Sequence, residues 1–225
     1  MDPAIVSTGI ATAVLTALLF LTGSRSGMLS LVAAIVIMVV MVRSRISRGT
    51  AVVGAATLVA ACTLVVLFGG LAFVVGRAEP TVREGGGGRI TIWRETVPVV
   101  RDFWAFGTGI GTYGRAMALY QQTDRHLHFN QAHNHYLQVA AEGGLLVGVP
   151  VAIGAVLFAG MAVRRLREED TPFFWIRSGA SAAVLAVALQ SVWETGLRMP
   201  ANAVLFAVVC ALAVHPPRRR SSRGH

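Results

Sequence analysis

The stretch "AHNHYLQVAAEGGLLVGVPVAIGAVLFAGMAV", residues 132–163, decides the fold. From Gly143 to Val163 it carries no charged side chain. A run of that length meets the roughly 17–25 apolar residues needed to cross a hydrocarbon core of about 30 Å. Directly before it stand His133, Asn134, His135 and Glu142. Polar and titratable groups are costly beside lipid, so their crowding at one end of an apolar run needs a reason.

Other nearly uncharged stretches lie at 4–22, 28–42, 51–76, 178–193 and 200–214. Stretches 4–22 and 51–76 are long enough to span alone. Segments 28–42 and 200–214 are short, and 178–193 reaches spanning length only with Phe173–Trp175 and their neighbours. The 225-residue chain is 54% hydrophobic and 14% charged, against about 25% charged in soluble domains. An all-α, polytopic membrane protein with about six transmembrane helices is expected, since a lipid-exposed backbone must satisfy its own hydrogen bonds.

All 20 basic residues are arginine, and the net charge is +9. Arg43, Arg45 and Arg48 fill one short loop, and Arg164, Arg165 and Arg167 another. Arg218, Arg219, Arg220 and Arg223 stand in the tail. With six spans all three clusters fall on one side, which the positive-inside rule makes cytoplasmic. The expected arrangement is a single domain, 1–225, in the cytoplasmic (inner) membrane. Both termini and the basic tail 215–225 face inward, and a large extracytoplasmic insert, 77–142, carries short interfacial helices. Clusters flanking spans are accounted for by topology and anionic lipid, and no nucleic-acid motif accompanies them. The first span lacks the basic start of a signal peptide. Cys62 and Cys210 lie within expected spans, which argues against a disulfide or zinc role.

The insert opens with "EGGGG" (84–88), which offers no core of its own. In "RITIWRETVPVVRDFW" (89–104), Trp93, Val97, Val100 and Trp104 recur at helical spacing. This predicts an amphipathic interfacial helix, with Pro98 imposing a kink or a later start. "FGTGIGTYG" (106–114) reads as a loop. Its glycines resemble phosphate cradles, but without a preceding strand a tight connector fits better. Residues 115–129 show no clear period. From Asn130, a plausible N-cap, the chain is expected to become helical and run into the fourth span.

Several residues admit two readings. Arg25, in "TGSRSG", is either a snorkelling helix end or a fork for phosphate oxygens. Arg89 and Arg94 bracket Trp93, as a solvated helix face or as a phosphate clamp beside a sugar-stacking ring. His126, His128, His133 and His135 lack zinc spacing and a cysteine or paired-carboxylate partner, so no metal and no cofactor is expected. On a continuous helix His133 would share a face with Tyr136 and Leu137, and His135 with Gln138 and Glu142. Spacing does not decide which histidine works.

Taken in order, these pieces resemble the O-antigen ligase/polymerase family of bacterial membrane glycosyltransferases. The matching features are "SR" after a span (Ser24, Arg25), then "R-x-x-x-W" (Arg89, Trp93). "DFWAFGTGIGTY" (102–113) and "HNHYLQVAAEGG" (133–144) follow. The resemblance runs from about residue 10 to 212. It implies transfer of a glycan from an undecaprenyl-diphosphate carrier to an acceptor hydroxyl at the outer membrane face, in cell-surface polysaccharide biosynthesis. The acceptor is a glycan or glycolipid. Arg25 and Arg89 would hold the diphosphate, His133 would act near the acceptor, and Trp93, Tyr136 and Glu142 would support the substrates. Two arginines can stabilise the departing diphosphate without a metal, and a neutral imidazole suits proton removal from a hydroxyl. Nearby arginines push a histidine towards neutrality.

Family members run to roughly twice this length, so the chain is expected to be the C-terminal half of a longer architecture. A missing N-terminal membrane portion or partner would complete it. The competing class is non-catalytic: a truncated remnant, an assembly partner or a transporter-like protein. Transporters place polar residues at mid-span. Here polarity gathers at the outer rim, which favours chemistry on a lipid-borne substrate.

Overall fold

The computed structural model describes residues 3–22, 24–46, 88–123, 125, 126 and 128–216. The expected span 51–76, most of the glycine run and the basic tail from Arg218 lie outside the described residues. Among those residues the structure is all helical, with no strand: seven α-helices and one 3₁₀ turn. The chain divides into two compact units, Met1–Gly86 and Gly87–His225.

The first unit contains α1 (Pro3–Leu21) and α2 (Arg25–Val42). Both are apolar all round, as lipid-embedded helices are. Ser24 caps α2, its hydroxyl accepting the Gly27 N–H at 3.1 Å. This cap separates the two apolar segments at "TGSRSG" and makes Arg25 the first residue of α2.

The second unit runs α3 (Gly88–Asp102), α4 (Tyr113–Tyr120), α5 (His135–Glu168), α6 (Phe173–Gln190), a 3₁₀ turn (Gly196–Arg198) and α7 (Pro200–Val214). Among the described residues two helices, α5 and α6, are long and apolar enough to cross a membrane. The helix α7 and the apolar stretches Ile10–Leu19 and Ser26–Val42 are shorter. Almost none of α5's apolar stretch is buried within the protein, and Leu146, Val156 and Leu157 all project outward. At 1.5 Å per residue α5 is about 50 Å long, well beyond one hydrocarbon core. A break at Gly144 divides it into a polar mouth and an apolar rod.

Three expectations need correction. First, α3 begins at Gly88 and passes through Pro98 without ending. Its buried face is Ile92, Thr96 and Val99, while Val97 and Trp104 are exposed and Trp104 lies beyond the helix. The inward face is shifted because Thr96, though polar, is satisfied there: its hydroxyl bonds the Ile92 carbonyl and the Tyr113 hydroxyl, each at 2.6 Å. Second, part of 115–129 is helical. The two-turn α4 buries Tyr113 and Met117, one helical turn apart, in a core shared with Val99, Ala132 and Ala141. Third, the helix leading into the fourth span starts at His135, and its cap is Asn134 rather than Asn130. The Asn134 Oδ1 accepts the Leu137 N–H at 3.0 Å.

At the opposite end of the α5–α6 pair, Arg177 is fully buried. It donates to Glu169 at 2.9 Å and to the carbonyls of Ala213 and His215 at 2.8 and 2.7 Å. One guanidinium thus ties the α5–α6 connection to the end of α7, where carbonyls lack helical partners. This fixes the scaffold from below and leaves the mouth of α5 to the segments around it.

Candidate functional site

The mouth of α5 is built from a strap, residues 129–134, clamped almost residue by residue. Gln131 accepts a short hydrogen bond from the Thr195 hydroxyl. Ala132 donates its N–H to Gln138 Oε1 at 3.1 Å, and its carbonyl accepts the Trp93 indole N–H at 2.9 Å. Asn134 caps the helix, and the His135 N–H donates to the Ser191 carbonyl at the end of α6, 2.8 Å away. One turn on, the Tyr136 hydroxyl donates to the Ala188 carbonyl at 2.7 Å. The N-terminal end of α5 therefore sits on the C-terminal end of α6, each supplying what the other's unpaired backbone groups lack.

His133 lies between these anchors with φ 49°, the one non-glycine residue with positive φ among those described. Such a conformation persists only where the surroundings over-determine it. Because His133 precedes the helix, the expectation that it and His135 occupy opposite faces of one helix does not hold. The ring Nδ1 atoms of both histidines are buried without a hydrogen-bond partner.

Glu142 forms the floor. Buried, its Oε1 accepts from the Tyr113 backbone N–H at 3.2 Å, from Gln138 Nε2 at 3.2 Å and from Arg198 Nη1 at 3.1 Å. Burial raises the Tyr113 phenol above its usual pKa, against the opposing hydrogen bond from Thr96, so it serves as a neutral hydroxyl. On the other side Arg89 pairs with Glu194 at 2.5 Å, both side chains partly exposed. Two arginines, each balanced by a carboxylate, thus flank the turn Glu194–Arg198.

The glycine loop holds the break in α5. Gly144 has φ 55° and ψ −154°, a backbone region reserved almost entirely for glycine. The carbonyls of Ala141 and Glu142 accept N–H groups from Thr108 and Gly109, both at 2.9 Å. Across the break, the N–H groups of Leu145 and Leu146 donate to the carbonyls of Trp104 and Ala105 at 2.8 and 3.0 Å. Irregular backbone at a membrane rim persists when protein satisfies it in this way. A Cβ on Gly107 would come within 2.3 Å of the Glu142 carbonyl, so only glycine permits the approach. The connector reading of "FGTGIGTYG" fits this geometry, for the loop's amides at 108 and 109 are committed to α5.

Of the residues expected at the site, the second unit gathers Arg89, Trp93, His133, Tyr136 and Glu142 around one helix mouth. Arg25 belongs to the first unit. The side chains of Trp93, Tyr136 and Glu142 all make structural bonds within the mouth. Arg198, Glu194, Thr195 and Gln138 are additions. No sequence spacing joins Arg198 to Glu142 across 56 residues. Among the described residues, no group of three His, Cys, Asp or Glu side chains is placed to hold a metal ion.

A helical membrane protein with a clamped histidine strap at the mouth of a broken helix is the class that fold and site define. The family model of O-antigen ligase matches residues 10–152, and the chain belongs to that family. No curated protein and no solved structure matches it. The family is membrane-integral, and membership implies a glycosyltransferase-like enzyme acting on lipid-linked glycans in cell-surface polysaccharide synthesis. The match takes in the strap, the glycine loop and the break in α5, while Arg198 and the α6–α7 pair lie beyond it.

Proposed function

We propose that the chain transfers or polymerises a glycan carried on undecaprenyl diphosphate, joining it to an acceptor hydroxyl at the outer face of the cytoplasmic membrane without a metal ion. His133 takes the acceptor's hydroxyl proton as that oxygen bonds the anomeric carbon. The bond from that carbon to the diphosphate breaks, and the lipid diphosphate leaves with the electron pair. Arg25 and Arg89 stabilise its growing charge, which is where fixed cations contribute most. Arg25 enters this scheme through the "SR" resemblance. Arg89 has five donors in a planar fork, so an anion can bind alongside Glu194. Trp93 locks the strap that presents His133, while Tyr136 and Glu142 hold the helix mouth on which the substrates rest.

The observation that carries this reading is the strap itself. A histidine held at φ 49° and bracketed by anchored neighbours is pre-positioned rather than merely packed. Pre-positioning of that kind is what general-base catalysis requires.

Membranes containing the full chain, supplied with a lipid-linked glycan donor, provide the test. His133→Ala should lower turnover by about 10²–10⁴-fold, the usual range for loss of a general base, with carrier binding unchanged. Arg25→Lys keeps the charge but loses the fork, so donor binding should weaken. His135→Ala should do less than His133→Ala, because its structural bond to Ser191 is made by the backbone. Abolition by His135→Ala with His133→Ala active would overturn the assignment. Unaltered turnover in all three variants would remove these residues from the chemistry, and absence of transfer by the unaltered chain would point to the non-catalytic reading.

A further inference from the structure

The turn between α6 and α7 lies outside the range of the family match, yet the histidine strap is tied to it. Three of its side chains reach the mouth of α5. Thr195, itself buried, gives its hydroxyl to Gln131, two residues before His133. Glu194 holds Arg89 on α3, where Trp93, one helical turn along, places its indole on the Ala132 carbonyl. Arg198 reaches Glu142 Oε1 at 3.1 Å. Gln138 donates its Nε2 to that same oxygen at 3.2 Å and accepts the Ala132 N–H on its Oε1 at 3.1 Å. The Gln138 amide has one orientation that serves both partners, because a carboxylate only accepts and a backbone N–H only donates. Arg198 is therefore linked to the residue before His133 through two buried side chains. The turn is itself braced, with Asn202 Nδ2 donating to the Gly196 carbonyl and the Arg198 N–H to the Thr195 carbonyl, both at 3.0 Å.

We infer that the Glu194–Arg198 turn sets the catalytic geometry of the strap, with Thr195 and Arg198 as positioning residues for His133. Thr195 acts through Gln131, and Arg198 through the Glu142–Gln138 relay. The inference rests on the proposed function for the role of His133. Geometry explains why such a device is needed. The Ala132 carbonyl belongs to the planar peptide unit that opens His133, so fixing that plane fixes φ at His133. Both backbone groups of Ala132 are held by side chains, one on α3 and one on α5, and the turn secures each from behind. A residue at φ 49° stays there only while such restraints over-determine it. Arg198 touches Glu142 through a single nitrogen, so it serves here as a point charge rather than as a two-pronged fork.

The full chain in nanodiscs, supplied with a lipid-diphosphate-linked glycan donor, provides the test, with kcat and donor KM read separately. Arg198→Ala should lower kcat by about 10- to 100-fold, as displacement of a reacting group from a distance does, and change KM by less than about twofold. Arg198→Lys should recover most of that loss. Thr195→Val keeps the shape and removes the hydroxyl, so kcat should fall about tenfold, and Thr195→Ser should restore it. Arg198→Ala and Gln138→Met cut the same relay, so the pair should cost no more than the larger single loss. A raised donor KM with kcat held would make Arg198 a donor contact and overturn the inference. Multiplicative losses in the double variant would overturn it too. The Thr195 pair decides the matter even if Arg198→Ala does not accumulate. A second readout needs no transfer: the rate at which diethyl pyrocarbonate modifies His133, mapped by mass spectrometry. It should rise at least about threefold in Arg198→Ala and Thr195→Val, as local opening of the strap requires, with His126 and His128 outside the strap unchanged. That selective rise, without transfer by the unaltered chain, retains the positioning claim and removes the glycan reading. Transfer by the unaltered chain, with kcat and the His133 rate untouched in both variants, does the reverse.

Discussion

At φ 49° the backbone of His133 is held where few non-glycine residues rest, and its neighbours supply the restraint. The Trp93 indole on the Ala132 carbonyl is one of the bonds that set it. Trp93→Phe keeps an aromatic side chain but loses the indole N–H and part of the ring's contact area, so it should cost at least about 1 kcal/mol of stability. Transfer should fall further than stability does, because the strap carrying His133 loosens. Thermal unfolding and turnover on one preparation check both. Tyr136→Phe is the contrasting case. It loses a bond to the Ala188 carbonyl that only fastens α5 to α6. A stability loss of about 0.5–1.5 kcal/mol with near-normal turnover is expected. A collapse of turnover without loss of stability would show that the Tyr136 hydroxyl meets the substrate.

Among the elements, the glycine loop and the break in α5 form one unit. A side chain at Gly144 would need a conformation costing about 1–3 kcal/mol and would also approach the Ala105 carbonyl at 2.7–2.8 Å. Gly144→Ala and Gly107→Ala should therefore sharply reduce the folded protein in membranes. Gly154→Ala and Gly160→Ala, where a Cβ meets nothing, should be neutral or slightly stabilising. A melting-temperature series across the four variants tests this, and equal effects would contradict it. The same pair of elements shows what the sequence discloses. Length and apolarity announce α5 and α6, because spanning a bilayer is a demand written into composition. The break at Gly144 is invisible to periodicity, since its hydrogen bonds are supplied by residues about 40 positions earlier. The buried face of α3 is hidden from the sequence for a related reason: Thr96 counts as polar until the Tyr113 hydroxyl pairs with it. The start of α5 is ambiguous in the sequence because Asn130 and Asn134 are equally good caps in isolation, and only the anchoring of the strap chooses between them.

For the whole molecule, the arginine distribution and the position of the site make one claim about orientation. The strap, α3 and α4 should face outward, and the turn after α2 inward. In a background with Cys62 and Cys210 replaced, an impermeant thiol reagent on intact cells should label Gln122→Cys and spare Ser44→Cys. The reverse pattern would place the histidine strap on the wrong side for a donor displayed outside the cytoplasm. Orientation alone does not establish chemistry. The most direct measurement is consumption of a lipid-diphosphate-linked glycan by the purified full chain in nanodiscs, with EDTA present throughout. The donor should be consumed at the same rate with and without chelator, and His133→Ala should slow that consumption by about 10²–10⁴-fold in both. Turnover that disappears with EDTA and returns with Mg²⁺ or Mn²⁺ would contradict the account, because the diphosphate's counter-charge would then be a metal ion and not the arginines.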